Sequence, residues 1–535
     1  MLSADHAEQF TPEERARLTP YFSNTDRHVF ALTNLPETVK GALFARYSRS
    51  AKSLRRLFLD EFSGTLHTTT AHGPDVGLER AEKLYARVFN EYGDDSVAQL
   101  GGAHIACEYV SNILTKVLEW GRLMAYLEQS TRYVPYTDKL HGQWRYHVPA
   151  ELDEPLRARY TQTMDEIFEL YAKWIPAMQE HFARRYPRKA GDSEGVHRSA
   201  IRAKALDTLR GMLPAATQSN VGIYGTGQAF EALLLRMQAH PLAEVRDCGA
   251  AMLVELRKVI PAFLTRVDLP DRGGRWSNYF EHNRDALASL ADALAGGLEP
   301  APADEVTLSD FDPAGEIKIV AAALYSVTAL PDEQLMQVAR AMSADDRTRV
   351  LRTYIGDRGN RRHRPGRAFE RTSYRFDVLT DYGAFRDLQR HRLLTLEWQP
   401  LSTRHRYTEP EAIRESGAGS DWDHVMNASA ELHEDVLSAG LPAAAQYAVV
   451  MAYRVRFYMD MNAREAMHLI ELRTAPQGHP AYRRVCQQMH RLIADVAGHQ
   501  AVAAAMKFAD HTVVELERLG SERAIERKRE AADPA

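Results

Sequence analysis

Long apolar runs are missing from these 535 residues, although 45% of them are hydrophobic. No stretch approaches the roughly 18 consecutive apolar residues that a membrane helix requires, so no membrane partner is expected. Cysteine is scarce: Cys107, Cys248 and Cys486 are far apart and form no CxxC spacing. They support neither a disulfide framework nor a thiolate metal site. The opening MLSADHAEQFTPEERARL is acidic and polar, unlike a secretory signal, and a reducing cytoplasm is the expected compartment. No HExxH-type spacing occurs, so no metal is expected. A GxSxG elbow is also absent. Gly222, Gly225 and Gly227 make a weak glycine-rich match with no strand expected before them. Charge of one sign is lacking too. A formal net charge of -5 argues against general nucleic-acid binding.

What the chain does have is one pattern written twice, each copy keeping residues that the other lacks. The first copy reads Trp120-Gly121-Arg122, then Glu128-Gln129-Ser130-Thr131-Arg132-Tyr133, then Asp207-x-x-Arg210-x-x-Leu213-Pro214. The second reads Arg390-His391-Arg392, then Leu441-Pro442, then Asn462-Ala463-Arg464-Glu465-x-x-His468 and Leu472-Arg473. Complementary loss of this kind suggests one working site built from both halves. The Gly- and Pro-bearing stretch 295–305 is the best boundary, giving units 1–298 and 299–535. Residues 184–198 read as a low-order insertion in the first copy, and the last ten residues as a frayed charged tail.

Helix dominates the coarse pattern. Ala106, Val110, Ile113/Leu114 and Val117 recur at helical spacing. Tyr374, Phe376 and Val378 alternate with Ser373, Arg375 and Asp377, the period of a half-buried strand. A helix follows from about Asp381 to His391, with Asp381 as its cap. Another covers Asn462 to Arg473, with Asn462 and Arg473 on one face and Arg464 and His468 on another.

Ser130 and Arg132, with Arg122 and Arg210, offer the guanidinium forks and hydroxyl that a phosphate monoester wants. Surface salt bridging is the plain alternative. Arg390, His391 and Arg392 lie where a helix dipole favours cations anyway. An interior Asn462 and Arg473 need partners, which a flavin or pyrimidine ring would offer. The basic run Arg358 to Arg375 suits a small polyanion such as a nucleotide, or equally a solvated loop.

At these residues the chain resembles the flavin-dependent thymidylate synthases. That family's signature is Arg-His-Arg, seven residues, then Ser, ending Asn-Glu-x-Ser-x-Arg-Tyr. With Trp120 on the first arginine, Arg122, Glu128, Ser130, Arg132 and Tyr133 align without a gap, while the second copy keeps Arg390-His391-Arg392 intact. Asp94-Asp95-Ser96 falls where the family has His-Glu-Ser/Thr. Departures include Trp120-Gly121 for Arg-His, Glu231 at the position of His468, and Ser438 at that of Arg210.

The resemblance implies an α+β, predominantly helical fold of two synthase-like units, each with helices on a small sheet. It also implies FAD-dependent reductive methylation of dUMP to dTMP with methylenetetrahydrofolate and NADPH, in a homodimer mimicking the family's homotetramer. By that resemblance Arg122, Glu128, Gln129, Ser130, Arg132 and Arg210 hold the nucleotide, and Arg473 or Arg236 contacts the uracil. Arg390, His391, Arg392, Asn462, Arg464 and His468 face the flavin, with His363 standing in for the missing upstream histidine. Two rival readings are a flavin-dependent methylase of another pyrimidine nucleotide and a non-catalytic nucleotide- or flavin-binding protein.

Overall fold

Burial alternates along strands Gln218–Thr226, Ser373–Asp381 and Arg454–Asn462, and polar caps open several of the helices. The computed structural model describes residues 8–27, 29–47, 50–63 and 99–532. Among them lie two small sheets in an otherwise helical chain. One has the order β1 (Gly102–Ser111), β3 (Gln218–Thr226), β2 (Met124–Glu128), with β2 antiparallel to β3 from Met124↔Gly225 to Glu128↔Val221. The other has the order β4 (Val306–Phe311), β5 (Ser373–Asp381), β7 (Arg454–Asn462), β6 (Thr395–Trp398), all antiparallel.

The same succession of elements occurs twice. β1, helix Asn112–Leu118, β2, β3 and helix Gly227–Gln238 are matched by β5, helix Tyr382–Leu388, β6, β7 and helix Ala463–Arg473. The caps correspond as well. The Ser111 hydroxyl accepts from Leu114 N at 3.0 Å where the Asp381 carboxylate accepts from Ala384 N at 2.8 Å. The Thr226 hydroxyl accepts from Ala229 N where Asn462 Oδ1 accepts from Glu465 N. Each cap satisfies a backbone donor that the first helical turn leaves without a partner.

The chain packs into two compact units. One comprises Met1–Glu108, Gly121–Glu128 and Asn220–Leu298; the other comprises Tyr109–Trp120, Gln129–Ser219 and Glu299–Ala535. The second unit therefore contains residues from both copies of the pattern. Within it, segments 211–216 and 447–452 exchange backbone hydrogen bonds, among them Ala215 N to Val449 O at 2.8 Å and Met451 N to Leu213 O at 2.9 Å. Helices Asn112–Leu118 and Tyr382–Leu388 also meet there. The Tyr382 hydroxyl donates to Asn112 O at 2.9 Å, and Gln389 Nε2 donates to Lys116 O at 2.7 Å. Trp422, Tyr136, Tyr160, Tyr171, Tyr374, Tyr382 and Tyr447 are fully buried in this unit's core.

Four sequence expectations change. Residues 102–111 are strand, not helix: β1 ends at Ser111, and the helix expected from Ala106 begins at Asn112. The apolar spacing there mixes strand and helix positions across one capped junction. The glycines at 222 and 225 lie inside β3, and Gly227 opens the following helix where a Cβ would meet the Phe263 Cβ at 2.6 Å. Residues 184–198 are helical at both ends, where helix Glu154–Arg185 finishes and helix Glu194–Leu209 begins, so the irregular stretch narrows to 186–193. Finally, the charged tail is a helix, Leu519–Ala532, held through ion pairing of Arg523 with Asp192.

Candidate anion site

Asp387 lies one residue before the end of helix Tyr382–Leu388, and three arginines converge on it. Arg390, three residues along, ion-pairs with it across the helix end. Arg210 opens the short turn after helix Glu194–Leu209 and places Nη1 3.5 Å from the carboxylate. Arg473, the last residue of helix Ala463–Arg473, lies 3.8 Å away. Burial alone would push this carboxyl up. The guanidiniums of Arg390, Arg210, Arg473 and Arg132 outweigh that and hold it far below the ordinary range.

Arg132 forms the fourth corner. Its Nε and Nη2 grip the Asp207 carboxylate at 2.7 and 2.5 Å, a two-pronged pair on the helix turn that also carries Arg210. Ser130 belongs to the same corner, its hydroxyl accepting from Arg132 N at 3.3 Å. His479 is half-buried beside them, with Nε2 3.4 Å from Asp207 O. Burial, with Arg210 and Arg132 nearby, pushes its imidazole well below its usual range, so it is neutral. Four guanidiniums (132, 210, 390, 473) against two carboxylates (207, 387) leave a surplus of two positive charges in a mostly buried cluster. Arg210 Nη2 is buried with no hydrogen-bond partner among the described residues. Such a group calls for an acceptor from outside the chain.

Beyond Arg473 the cluster continues into a histidine pair. Arg473 Nε donates to His391 Nε2 at 2.9 Å, and His391 Nδ1 faces Glu465 Oε1 at 3.2 Å. Burial, then Arg473, His468, Arg390 and Arg364, keep His391 neutral. Burial pushes the Glu465 carboxyl up to about 7 against the pull of Arg364, Arg464 and Arg392. His468 is pushed down to about 4 by burial and by Arg364, Arg361 and Arg473, and Arg364 Nη2 donates to it at 2.9 Å. His391, Glu465 and His468 could between them present three ligand atoms to a metal, all within 4.8 Å of one another. Arginines already occupy a ring nitrogen on both histidines and crowd the third ligand, so the local charge favours an anion over a cation.

Other expected site residues divide between the two units or are held by local contacts. Arg122, Glu128 and Arg236 belong to the first compact unit, while Gln129, Ser130, Arg132 and Arg210 belong to the second. Asn462 is a helix cap, so its Oδ1 is committed to the backbone and the residue precedes the helix face expected for it. Arg464 donates to Pro365 O at 2.9 Å, and Arg392 is exposed. His363 closes its own loop, with Nδ1 accepting from Gly359 N at 3.1 Å. Asp94-Asp95-Ser96 lie outside the described residues. In the basic run, Arg358 is fully buried against Glu471, Arg364 donates to His468, and Arg361 acts on His468 through its charge. Cys107 and Cys248, distant in sequence, share a thiol–thiol hydrogen bond that pulls the first thiol down and pushes the second up.

Asp387, Glu465 and Arg364 are not among the site residues expected from the sequence. Asp387 stands one helical turn before Arg390, the spacing of an ion pair, and that was the available signal. Arg364 lay unsorted among the basic residues of its loop.

The family model described as thymidylate synthase complementing protein matches residues 42–262 and 307–498. A UPF0159 protein of Chlamydia muridarum is 36% identical over 96% of this chain and 98% of its own length. A flavin-dependent thymidylate synthase of Clostridium tetani is 27% identical, covering 35% of this chain and 70% of that protein. A solved UMP/dUMP methylase, PolB from Streptomyces cacaoi, shares 20% identity over 38% of this chain and 96% of that chain, at a TM-score of 0.30. With the family match covering most of its length, the chain belongs to the thymidylate synthase complementing protein family.

Proposed function

We propose that the chain binds a pyrimidine nucleoside monophosphate at the Asp387 cluster and methylates it, with dUMP as substrate and dTMP as product. It is a thymidylate synthase-like methyltransferase. One observation carries the reading: a mostly buried surplus of two positive charges, contributed by residues from both matched segments. A phosphate monoester carries about -1.5 to -2 at neutral pH, which balances that surplus. The repeated succession of elements supports a duplicated ancestor whose two copies now share one working site.

In this reading Arg132, Ser130 and Arg210 hold the phosphate, and the buried Arg210 Nη2 gains its acceptor. Arg473, aimed by His391, faces the uracil and stabilises negative charge as it develops on the ring. The donor set around His391 and His468 fits a flavin, because neutral imidazoles suit its ring edge and Arg364 and Arg361 suit its pyrophosphate. We take FAD as that flavin, with Arg390, Arg392, Arg464 and His468 to hold it. When bound it would supply the hydride, drawn from NADPH, and methylenetetrahydrofolate would supply the carbon. Replacement of the C5 hydrogen by methyl releases that hydrogen as a proton, which ends in solvent, and the protein's own part is to orient the ring.

The test is release of tritium from dUMP labelled at C5, measured with flavin, NADPH and methylenetetrahydrofolate. Wild type should release it; Arg132→Ala and Arg390→Ala should each abolish release while circular dichroism shows them folded. Release without dUMP-dependent flavin oxidation, or full activity in either variant, would overturn the assignment.

A further inference from the structure

Helix Gly273–Ala295 lies between the two segments matched by the family model, so the shared family pattern does not account for it. Along its 23 residues only Gly273 and Ser277 are buried. Its inner face is held to helix Gly227–Gln238, through Ser277 to Leu235 O at 3.2 Å and Gln238 Oε1 at 3.0 Å, and through Arg284 to Ala239 O.

The opposite side carries large apolar groups into solvent. Trp276, Phe280, Leu287, Leu290 and Leu294 are all exposed, Leu287 by 66% and Leu294 by 74%. With Asn283, these positions step by 4, 3, 4, 3 and 4, the a/d alternation of a heptad. At about 100° per residue they fall within an arc of about 80°; Tyr279 widens it to about 100°, and Leu298, just past the helix, falls inside it. Ser277 and Arg284 lie off that arc, so anchoring the helix leaves the stripe uncovered.

We propose that this stripe is a self-association surface, on which the same helix of a second copy of this chain packs. Three features favour a second copy. The heptad spacing is self-complementary, as a two-fold interface requires. The stripe contains no charged side chain, and the acidic Asp285 and Asp292 fall on the far side, where two copies would not set them against each other. Its exposed apolar area, summed over Trp276, Tyr279, Phe280 and the four leucines, is well beyond a scatter of single residues. It approaches the roughly 800 Å² per partner of a standard interface. Asn283 in the middle of the seam fixes register, the use to which a lone polar residue in such a seam is put.

Sedimentation velocity on the full chain between about 1 and 50 μM reads this directly. Wild type should sediment at twice the chain mass or a multiple of it. The double variant Leu287→Glu/Leu294→Glu should fall to half the wild-type mass, with association weakened at least about a hundredfold. Its far-ultraviolet dichroism and melting temperature at low concentration should be unchanged, since both side chains are already in water. Leu287→Gln/Leu294→Gln, which adds no charge, should weaken association in the same direction. A monomeric wild type, or a double variant that keeps the wild-type mass, would overturn the proposal. Neither outcome depends on the chemistry of the Asp387 cluster.

Discussion

Arg473 Nε donates to His391 Nε2 at 2.9 Å, and because a guanidinium cannot accept a hydrogen bond, that nitrogen must carry its lone pair. The His391 proton is therefore on Nδ1, directed at Glu465. An imidazole locked in this tautomer between an arginine and a carboxyl works as a positioning residue that aims Arg473. Nitrogen-15 NMR of the imidazole should show a neutral, Nδ1-protonated ring at neutral pH, since burial and the neighbouring arginines hold it well below its usual range. A titration centred near the ordinary histidine value would contradict the arrangement.

The carboxylate at the centre of the arginines should behave as an internal anion. Asp387→Asn leaves Arg210, Arg390 and Arg473 without it, and breaking a buried pair of this kind costs about 3–5 kcal/mol. The added positive charge should also make the folded state more responsive to anions. Inorganic phosphate is thus expected to raise the melting temperature of the variant by more than it raises that of wild type. Equal shifts would mean that the arginines are closed to outside anions.

Gly383 bears on the same cluster through its missing side chain. A Cβ there would lie 3.1 Å from Arg210 Nε and 3.1 Å from Asp381 Oδ1. Gly383→Ala should fold with a loss within about 1 kcal/mol, since helix position favours alanine, yet it must push Arg210 aside. Nucleotide affinity measured by calorimetry should fall about tenfold, the size of one weakened charge-assisted bond. Unchanged affinity would remove Arg210 from the binding role.

The legible parts of the sequence were those governed by local rules. The alternation of Tyr374, Phe376 and Val378 gave β5, and the Asp381 cap gave the helix after it, because both signals act within a few residues. The 102–111 strand was misread because its pairing partner, β3, lies more than a hundred residues away. The meeting of Ser130, Arg132 and Arg210 with Arg390 and Arg473 was foreshadowed by their complementary losses. Asp387 was not, since an acidic residue beside an arginine on a helix reads as ordinary surface pairing until its burial is known. Asn462 was placed on a helix face by periodicity, whereas its short side chain and the strand before it make it the cap.

Glu465 and His468 should give opposing pH dependences to stability. Folded Glu465 stays protonated up to about 7, whereas the unfolded carboxyl ionises near 4.5, so the folded state binds more protons between those values. Its contribution is full below about 4.5 and is lost as pH rises through about 7. His468 runs the other way: its imidazole holds at about 4 against an ordinary 6.5, so its contribution is present above about 6.5 and lost as pH falls through about 4. The two largely cancel between about pH 4.5 and 6.5. Glu465→Gln keeps an acceptor for His391 and removes one side of the balance. The variant should gain stability from about pH 4 to 6.5 more steeply than wild type. Above pH 7 it should exceed wild type by on the order of 1–3 kcal/mol, because it no longer ionises a buried carboxyl. Calorimetric melting at pH 5, 6, 7 and 8 checks this, and parallel curves for the two proteins would refute a Glu465 carboxyl that titrates near neutrality.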